Sequence, residues 1–255
     1  MKSIAVINQK GGVAKSTTAA ALGSMFAREG RTLLVDLDAQ GNLTYALGSD
    51  GAAAGAWEVL ARKVAPAEAA KPVRENLSLI GSSPSLAAAD LYLTATGKEY
   101  RLKEALDALA PSFDWCVIDT PPALGILTVN ALTAAAGMVI PTQADIFSLQ
   151  GIGQLKETVA TVRRYCNPSL KVYGILLARF SSRAVISREV KEMLEGTVAA
   201  ELSTRLFRTA IRECTAVKEA QASRMGLFDY APKCNAALDY VDFFNELKGT
   251  VNGQK

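Results

Sequence analysis

The residues best suited to chemistry lie between positions 8 and 17, where the chain reads NQKGGVAKST. Glycines allow a backbone to turn its N–H groups toward an anion, and the N-terminus of a following helix adds a positive dipole. In such a loop, Lys15 reaches the β- and γ-phosphates of a nucleotide and the Ser16 hydroxyl binds Mg²⁺. Gln9 and Ala14 stand where the usual loop has glycines, so a simple glycine-rich turn is the alternative. The predicted phosphate-binding residues are Gly11, Gly12, Val13, Ala14, Lys15, Ser16 and Thr17.

Histidine is absent from all 255 residues, and its absence excludes several kinds of chemistry. Ser-His-Asp and Cys-His nucleophiles, imidazole proton transfer and His-ligated zinc all need this residue. The cysteines, at positions 116, 166, 214 and 234, form no close pair in the sequence. Their spacing predicts neither a zinc site nor an iron–sulfur cluster. Any reaction must therefore use carboxylates, lysines, hydroxyls, backbone amides or a bound ion.

The composition is typical of a globular protein with a substantial core. Lys and Arg number 28 against 25 Asp and Glu, for a net charge of +3, and 49% of the residues are hydrophobic. This small positive balance permits contact with nucleic acid without requiring it. No apolar stretch approaches the roughly 20 residues needed to cross a bilayer. Unpaired cysteines without a signal peptide favour a reducing compartment, so we expect a cytoplasmic protein.

Apolar runs of strand length alternate with helical segments along the chain. The runs are continuously apolar, which is typical of a parallel sheet covered by helices on both faces. Strands are predicted at 1–8, 32–36, 115–119, 138–141 and 172–177. Helices are predicted at 15–29, 98–109, 147–165, 185–200, 212–222 and 235–248, and short helices and loops at 49–75. Together they predict a single α/β domain over residues 1–255, with a doubly wound, mostly parallel sheet of the P-loop NTPase type.

Three motifs occur in order along the chain. Segment 10–17 reads KGGVAKST, segment 33–44 reads LLVDLDAQGNLT and segment 117–125 reads VIDTPPALG. They resemble the deviant Walker A loop, the V-D-x-D-P-Q-G-N-x-T string and the Walker B region of the ParA/MinD ATPases. The resemblance extends to 140–152, is looser over 171–247 and is faint over 49–112. Because the first strand begins close to Met1, the chain resembles the short ParA proteins, which lack an N-terminal helix-turn-helix domain.

The resemblance implies an ATPase that uses ATP, yields ADP and depends on Mg²⁺. It implies that Lys15 neutralises the phosphates and that Ser16 and Asp119 bind Mg²⁺. Asp38 is the candidate for orienting or activating the attacking water, and Asp36 for supporting the Mg²⁺ shell. The alternative for Asp36 and Asp38 is a solvated strand end, whereas an unpaired acid is costly at the position of Asp119.

Two further positions of the phosphate loop bear on this resemblance. Lys10 corresponds to the signature lysine of the family and is implied to cross a dimer interface to the partner's nucleotide. Ala14 replaces a glycine of the motif. Its Cβ would disfavour a positive φ by roughly 1 kcal/mol, and it would cost little in a helical conformation.

Membership of the ParA class implies an ATP-bound homodimer that binds double-stranded DNA without sequence preference. A ParB-like or other adaptor protein would stimulate hydrolysis and release, and the protein would be associated with the nucleoid. Basic residues that could contact phosphates are Arg183, Arg188, Lys191, Arg212, Lys218 and Arg224. Glutamates are interspersed among them, so solvated helix faces are the alternative for each.

Two other functional classes share this loop. A MinD-like membrane protein would need a basic amphipathic C-terminal helix, but the polar positions of segment 238–248 are mostly acidic. We instead expect Leu238, Val241, Phe244 and Leu247 to pack onto the domain, with no stable membrane anchor. A metabolic synthase is the remaining alternative, which the sequence does not exclude.

Overall fold

Eight strands form one sheet in the computed structural model, which describes residues 1–49, 54–180 and 185–253. The strands are β1 (Lys2–Val6), β2 (Thr32–Asp36), β3 (Ala70–Arg74), β4 (Leu77–Ile80), β5 (Trp115–Asp119), β6 (Gly137–Thr142), β7 (Lys171–Phe180) and β8 (Ile211–Arg212). Their order is β3-β4-β2-β5-β1-β6-β7-β8. Neighbouring strands run parallel except β3 and β4, which pair antiparallel at one edge.

Helices connect the strands. They are α1 (Lys15–Phe26), α2 (Asn42–Ala46), α3 (Ala56–Leu60), α4 (Pro66–Ala69), α5 (Ala89–Tyr92), α6 (Arg101–Leu109), α7 (Ile126–Ala134), α8 (Ile146–Tyr165), α9 (Val185–Met193), α10 (Ala199–Glu201), α11 (Thr215–Ala222), α12 (Leu227–Tyr230) and α13 (Asn235–Val251). Short 3₁₀ helices cover Pro84–Ala88 and Lys98–Tyr100, and a π-helical turn joins α9 to α10 at Leu194–Val198. Among the described residues, no helix is long and apolar enough to cross a membrane.

Both faces of the sheet are buried under helices. In β1, Ile4 and Val6 face the side covered by α1 and α13, whereas Ala5 faces the side covered by α3, α6, α7 and α8. Every one of these strand side chains is fully buried. The predicted doubly wound, mostly parallel sheet is thus confirmed, because continuous apolar strands need cover on both faces.

The C-terminal helix packs through its aromatic residues. Phe26 of α1 stacks on Trp115 at 4.1 Å between ring centroids and meets the edge of Phe244 at 4.9 Å. Phe244 and Leu247 are buried as predicted, but the expectation for Leu238 is wrong, because its side chain is 48% exposed. Tyr240 and Phe243 take the buried positions instead, since they share the helix face of Phe244 and Leu247.

Three strands were missed by the sequence analysis. The four-residue β4 lacks the length of the central strands, and β3 contains Pro72, which is tolerated at a sheet edge. Segment 49–75 therefore holds a strand besides the predicted short helices α3 and α4. The predicted helix at 212–222 starts too early, because Arg212 belongs to the two-residue strand β8 and α11 begins at Thr215.

Candidate nucleotide-binding site

The carboxyl ends of three strands bring the sequence motifs together. Val6 at the end of β1 pairs with Asp119 of β5, and Asp119 pairs in turn with Asp36 of β2. The loop 7–14 leaves β1 at this edge and leads directly into α1. Because the strands are parallel, their loops and terminal acids meet on one side of the sheet, where α/β proteins bind ligands.

The phosphate loop is shaped by polar contacts from neighbouring strands. The Asn8 side-chain amide donates to the Pro141 carbonyl at 2.8 Å, and its oxygen accepts the Lys10 N–H at 3.0 Å. Gln143 donates to the Gly12 carbonyl at 3.0 Å, and Gly12 itself has a φ of +75°. These contacts hold the loop open in front of α1, and the positive φ explains the need for glycine at position 12.

Ala14 adopts the left-handed conformation, with φ 68° and ψ 29°. Of the two conformations considered for this alanine, the strained one is therefore present. An L-residue with a Cβ loses roughly 1–2 kcal/mol in this region. The strain lies directly before Lys15, at the point where the loop becomes helix.

Replacing Ala14 by glycine is expected to stabilise the protein. Relief of the strain outweighs the roughly 0.4–1 kcal/mol that glycine adds to the entropy of the unfolded chain, and leaves a gain of about 0.5–1 kcal/mol. For a chain of this size the melting temperature would rise by about 1–4 °C. Ala20→Gly, inside α1, is the matched control and should lower the melting temperature. If the melting temperature falls equally in both variants, Ala14 is not strained in the folded protein.

Lys15 is the buried cation of the site. It is only 7% exposed, and its ammonium donates to the Lys10 carbonyl at 3.0 Å. Burial lowers the pKa of Lys15 from its ordinary value of 10.5, while the carboxylates of Asp119 and Asp38 raise it again in part. An ammonium held among acids and away from water interacts strongly with any anion that enters the loop.

Asp119 is a fully buried carboxylate with neither oxygen hydrogen-bonded among the described residues. Burial raises its pKa well above the usual 3.8, Asp36 raises it further, and the adjacent Ser16 hydroxyl and Lys15 oppose this rise. An unpaired buried carboxylate is costly unless a cation completes its environment. Its oxygens and the Ser16 hydroxyl are hard donors, so they fit Mg²⁺.

The other two aspartates have separate environments. Asp36 is fully buried and accepts hydrogen bonds from the Thr44 N–H at 2.9 Å, the Thr44 hydroxyl at 2.7 Å and the Asp38 N–H at 3.1 Å. Burial raises the pKa of Asp36 to about 6 against the effect of these bonds. Asp38 accepts the Gln40 N–H at 3.0 Å and lines the cleft described next. Asp36 therefore binds the backbone N–H of Asp38 and both donors of Thr44, and its role in supporting the Mg²⁺ shell stays a prediction.

A cleft of about 590 Å³ lies in front of the loop, a volume that suits a small ligand. Every predicted loop residue lines it except Val13, whose side chain is fully buried in the protein. The opposite wall comes from β8 and α11. Cleft residues that the sequence analysis missed are Gln40, Asn42, Tyr45, Pro122, Arg179, Ile211, Glu213, Cys214, Val217, Gln221, Ala222 and Tyr240. Of these, Gln40, Asn42 and Pro122 lie in recognised motifs, whereas the others carry no local signal.

Lys10 does not line this cleft. Its ammonium forms an ion pair with Asp145 at 2.5 Å, and the two side chains are 31% and 33% exposed. The structure therefore places the Lys10 side chain at the loop that follows β6. A contact with a second chain, as the sequence implied, requires this ion pair to open.

The basic residues predicted to contact DNA do not share one environment. The Arg212 guanidinium forms a bidentate ion pair with Asp239, with Nη2 to Oδ1 at 2.7 Å and Nε to Oδ2 at 2.9 Å. Its side chain is 50% exposed, and its contact with DNA stays a prediction. Lys218 lines the nucleotide cleft, and Lys191 pairs with Glu195 at 3.6 Å. The Arg224 guanidinium lies 5.0 Å from the centre of the Tyr45 ring. Arg183 falls outside the described residues, as does the side chain of Arg188.

Comparison with known proteins identifies the family. A family model described as an AAA domain matches residues 1–172. The sporulation initiation inhibitor protein Soj of Bacillus subtilis is 36% identical over 251 residues, which cover 96% of this chain and 98% of Soj. The chromosome partitioning protein ParA of Myxococcus xanthus is 41% identical over 198 residues, covering 76% of this chain and 70% of that protein. The chain belongs to the ParA/Soj family of partitioning ATPases.

A solved structure also resembles this ParA/Soj member closely. Cobyrinic acid a,c-diamide synthase from Mycobacterium smegmatis, with a bound ATP analogue and magnesium, has a TM-score of 0.86 and 34% identity. The match covers all of this chain and 97% of the other. The shared fold is thus one that holds a nucleotide and a magnesium ion in another protein.

Proposed function

We propose that the chain hydrolyses ATP to ADP and phosphate with Mg²⁺ bound in the cleft between the phosphate loop and α11. The observation that carries the proposal is the cluster at the carboxyl ends of β1, β2 and β5. There a buried ammonium, Lys15, lies beside an unpaired buried carboxylate, Asp119. Family membership and the structure with a bound ATP analogue and magnesium support it.

In this proposal each residue acts by position and charge. The open backbone of the loop and the Lys15 ammonium bind the phosphates, which need charge compensation more than covalent chemistry. When bound, Mg²⁺ supplies further neutralisation of charge on the phosphate oxygens. Ser16 and Asp119 would hold the ion, and Asp38 would orient the attacking water and accept its proton.

The substitution Asp38→Ala is expected to separate binding from hydrolysis. The alanine removes the group proposed to orient water and leaves the loop intact, so ATP should bind within a few-fold of the wild-type affinity while kcat falls about 10²–10⁴-fold. Single-turnover hydrolysis and fluorescent-nucleotide titration measure the two effects. Asp107→Ala, on the exposed face of α6, is the control and should behave as wild type. If Asp38→Ala hydrolyses ATP as fast as the wild type does, Asp38 does not orient the attacking water.

We further propose that ATP pairs two copies of the chain and that Lys10 then reaches the partner's nucleotide. Lys10→Ala should leave binding of nucleotide by the monomer largely unchanged, because the Lys10 side chain lies against Asp145 rather than in the cleft. It should weaken the ATP-dependent dimer by roughly tenfold or more. Sedimentation of the Asp38→Ala protein with ATP, with and without Lys10→Ala, measures this. An unchanged dimer would argue against a contact between chains.

The ATP-bound dimer is proposed to bind double-stranded DNA through phosphate contacts, to be released when an adaptor protein stimulates hydrolysis, and to associate with the nucleoid. Two chains of +3 give a dimer of about +6, which increases weak electrostatic binding. Random-sequence duplex should be bound with ATP, much less with ADP or without nucleotide, and less as salt rises. The Lys15→Ala variant is the matched control, because it is expected to bind no nucleotide even when ATP is added. Equal binding of the duplex with ATP, with ADP and without nucleotide would contradict the proposal.

An ATP-dependent amide synthase is a second candidate, favoured by the similarity to the cobyrinic acid a,c-diamide synthase. Such an enzyme would release ADP only with a carboxylic acid and a source of ammonia. The chain has no histidine and so cannot provide a Cys-His system for releasing ammonia from glutamine. The synthase would be favoured if the rate of ADP formation depends on cobyrinic acid and ammonia and does not change when DNA is added.

A further inference from the structure

An acid on a different helix caps α7. Gly125 precedes this helix and has no side chain with which to accept one of its first N–H groups. The Asp90 carboxylate, on the short helix α5, accepts the Ile126 N–H at 2.8 Å instead. The first N–H groups of a helix lack partners within it and form the positive end of its dipole, so a carboxylate at this point stabilises the first turn of α7.

This contact also explains the glycine at position 125. A Cβ built on Gly125 would lie 2.5 Å from Asp90 Oδ2, closer than non-bonded atoms pack. The Gly125 backbone, with φ −90° and ψ −163°, is extended and open to other residues. The glycine is therefore required by the approach of Asp90 rather than by its own backbone conformation.

The capped helix follows directly on the loop after Asp119, the proposed metal ligand. This β5–α7 loop covers residues 120–125, and Pro122 within it lines the nucleotide cleft. Since the loop connects a strand end in the site to the first turn of α7, its path beside the cleft depends on where that turn lies.

Hydrogen bonds anchor the β5–α7 loop at both ends. At its start, the Thr120 hydroxyl donates to a carbonyl of β1 at 2.9 Å. At its far end, the Thr128 hydroxyl of α7 donates to the Ala123 carbonyl at 2.6 Å, which ties the loop to the turn that Asp90 caps. A shift of this turn would therefore move the loop, whereas Thr120 would keep the start of the loop in place.

The segment that carries Asp90 also contacts the loop of Asp38. Ser82, which follows β4, donates from its hydroxyl to the Asp38 carbonyl at 2.5 Å. The Ser82 N–H donates to the Thr44 hydroxyl at 2.9 Å. Residues 82–90 therefore touch both the Asp38 loop and the far end of the β5–α7 loop, and fix the two relative to each other.

We propose that Asp90 is a positioning residue for hydrolysis, which holds the β5–α7 loop in place relative to Asp38; this rests on the proposed function. Asp90 itself does not line the cleft. Asp119 is fixed by strand pairing on both sides, so release of the loop leaves the proposed metal ligand where it is. Loss of Asp90 should therefore lower the rate of hydrolysis more than the affinity for nucleotide, because a misplacement of about 1 Å can cost about 10²-fold in rate.

Two substitutions at position 90 test this. Asp90→Ala removes the cap, so single-turnover hydrolysis should fall about tenfold, while the affinity for fluorescent ADP stays within about twofold of the wild type. Asp90→Asn keeps an oxygen acceptor of the same size and should hydrolyse ATP within about threefold of the wild type, since asparagine caps helices as well as aspartate does. In the nucleotide-free protein, hydrogen exchange over residues 120–130 should be faster in Asp90→Ala.

Gly125→Ala tests the same contact from the other side. Its Cβ would displace the Asp90 carboxylate, so hydrolysis should fall by a similar factor. In the double variant, Gly125→Ala should add little to the effect of Asp90→Ala, because the contact is already lost. Losses that multiply would mean that the two residues act independently, which overturns the contact as the cause.

Asp114→Ala is the matched control. The Asp114 carboxylate accepts the Arg31 N–H at 2.9 Å and lies against Gly30, as Asp90 lies against Gly125, but at the amino end of β5. Both alanine variants should lower the melting temperature, by about 2–4 °C, and only Asp90→Ala should lose hydrolysis.

Three results would overturn the proposal: hydrolysis at the wild-type rate in Asp90→Ala, a loss in Asp90→Asn as large as that in Asp90→Ala, or an equal loss in Asp114→Ala. If the wild type does not hydrolyse ATP, the proposed function fails, and hydrogen exchange still decides whether Asp90 holds the β5–α7 loop.

Discussion

Replacement of Lys15 by alanine is expected to abolish nucleotide binding, with a loss of affinity of at least about 100-fold, or 2.7 kcal/mol. The Lys15 side chain is largely buried at the start of α1, where its ammonium bonds the Lys10 carbonyl, so the substitution removes a cation from the phosphate loop itself. Without it, the carboxylates of Asp38 and Asp119 would repel the phosphates that Lys15 now attracts. Calorimetric titration with ADP and Mg²⁺ measures the loss.

The control for this prediction is Lys71→Ala, which removes an equal charge from the exposed edge strand β3. It should bind ADP as the wild type does, and circular dichroism should show that both variants are folded. Near-normal affinity in folded Lys15→Ala would mean that the cleft does not bind phosphate through this loop.

Replacement of Asp119 by asparagine is expected to abolish Mg²⁺-dependent hydrolysis while stabilising the nucleotide-free protein. The asparagine keeps the size of the side chain and removes a charge whose burial raises the pKa of Asp119 despite the nearby Ser16 hydroxyl and Lys15. The free energy of unfolding near neutral pH should rise by about 1 kcal/mol or more, because the asparagine amide, although still a buried polar group, carries no charge that burial disfavours. Hydrolysis should fall by about 10²-fold or more, because the proposed metal ligand is lost.

The pH dependence identifies the cause of this stabilisation. The pKa of Asp119 is raised in the folded protein above its ordinary 3.8, so the wild type takes up a proton at a higher pH than the unfolded chain does. As pH falls toward 4, the wild type therefore loses the penalty of the buried charge, and the advantage of Asp119→Asn should shrink. Chemical denaturation at several pH values measures it, with Asp107→Asn as the exposed control. If Asp119→Asn is less stable than the wild type near neutral pH, the buried charge of Asp119 does not destabilise the folded protein.

Much of the fold and of the loop side of the site could be predicted from local patterns. Continuous apolar runs ending in Asp36 and Asp119 predict buried parallel strands, and the carboxyl ends of such strands must share an edge. The glycine pair before Lys15 predicts the phosphate loop. These predictions succeed because strand burial and turn geometry depend on residues close together in the chain.

The rest depended on contacts between distant residues. The ion pair between Arg212 of β8 and Asp239 of α13, for example, joins residues 27 positions apart and has no signal in the local sequence. Lys10 was assigned by resemblance to a contact between chains, while Asp145 holds it in the monomer. The strand β8 is too short to be seen in the sequence and is defined by its pairing with β7. The far wall of the cleft has no local signal, because tertiary packing alone brings its residues together.

The two edges of the sheet limit how a second copy can associate. At one edge, β3 contains Pro72, which lacks an N–H donor, and its pairing with β4 is irregular between Pro72 and Arg74. At the other edge, β8 has only two residues, and α13 packs against it. Pro72 and the irregular pairing interrupt one edge and the shortness of β8 limits the other, so intermolecular strand addition is disfavoured. Reversible pairing of two chains would thus be kept separate from the irreversible growth of β-sheet aggregates.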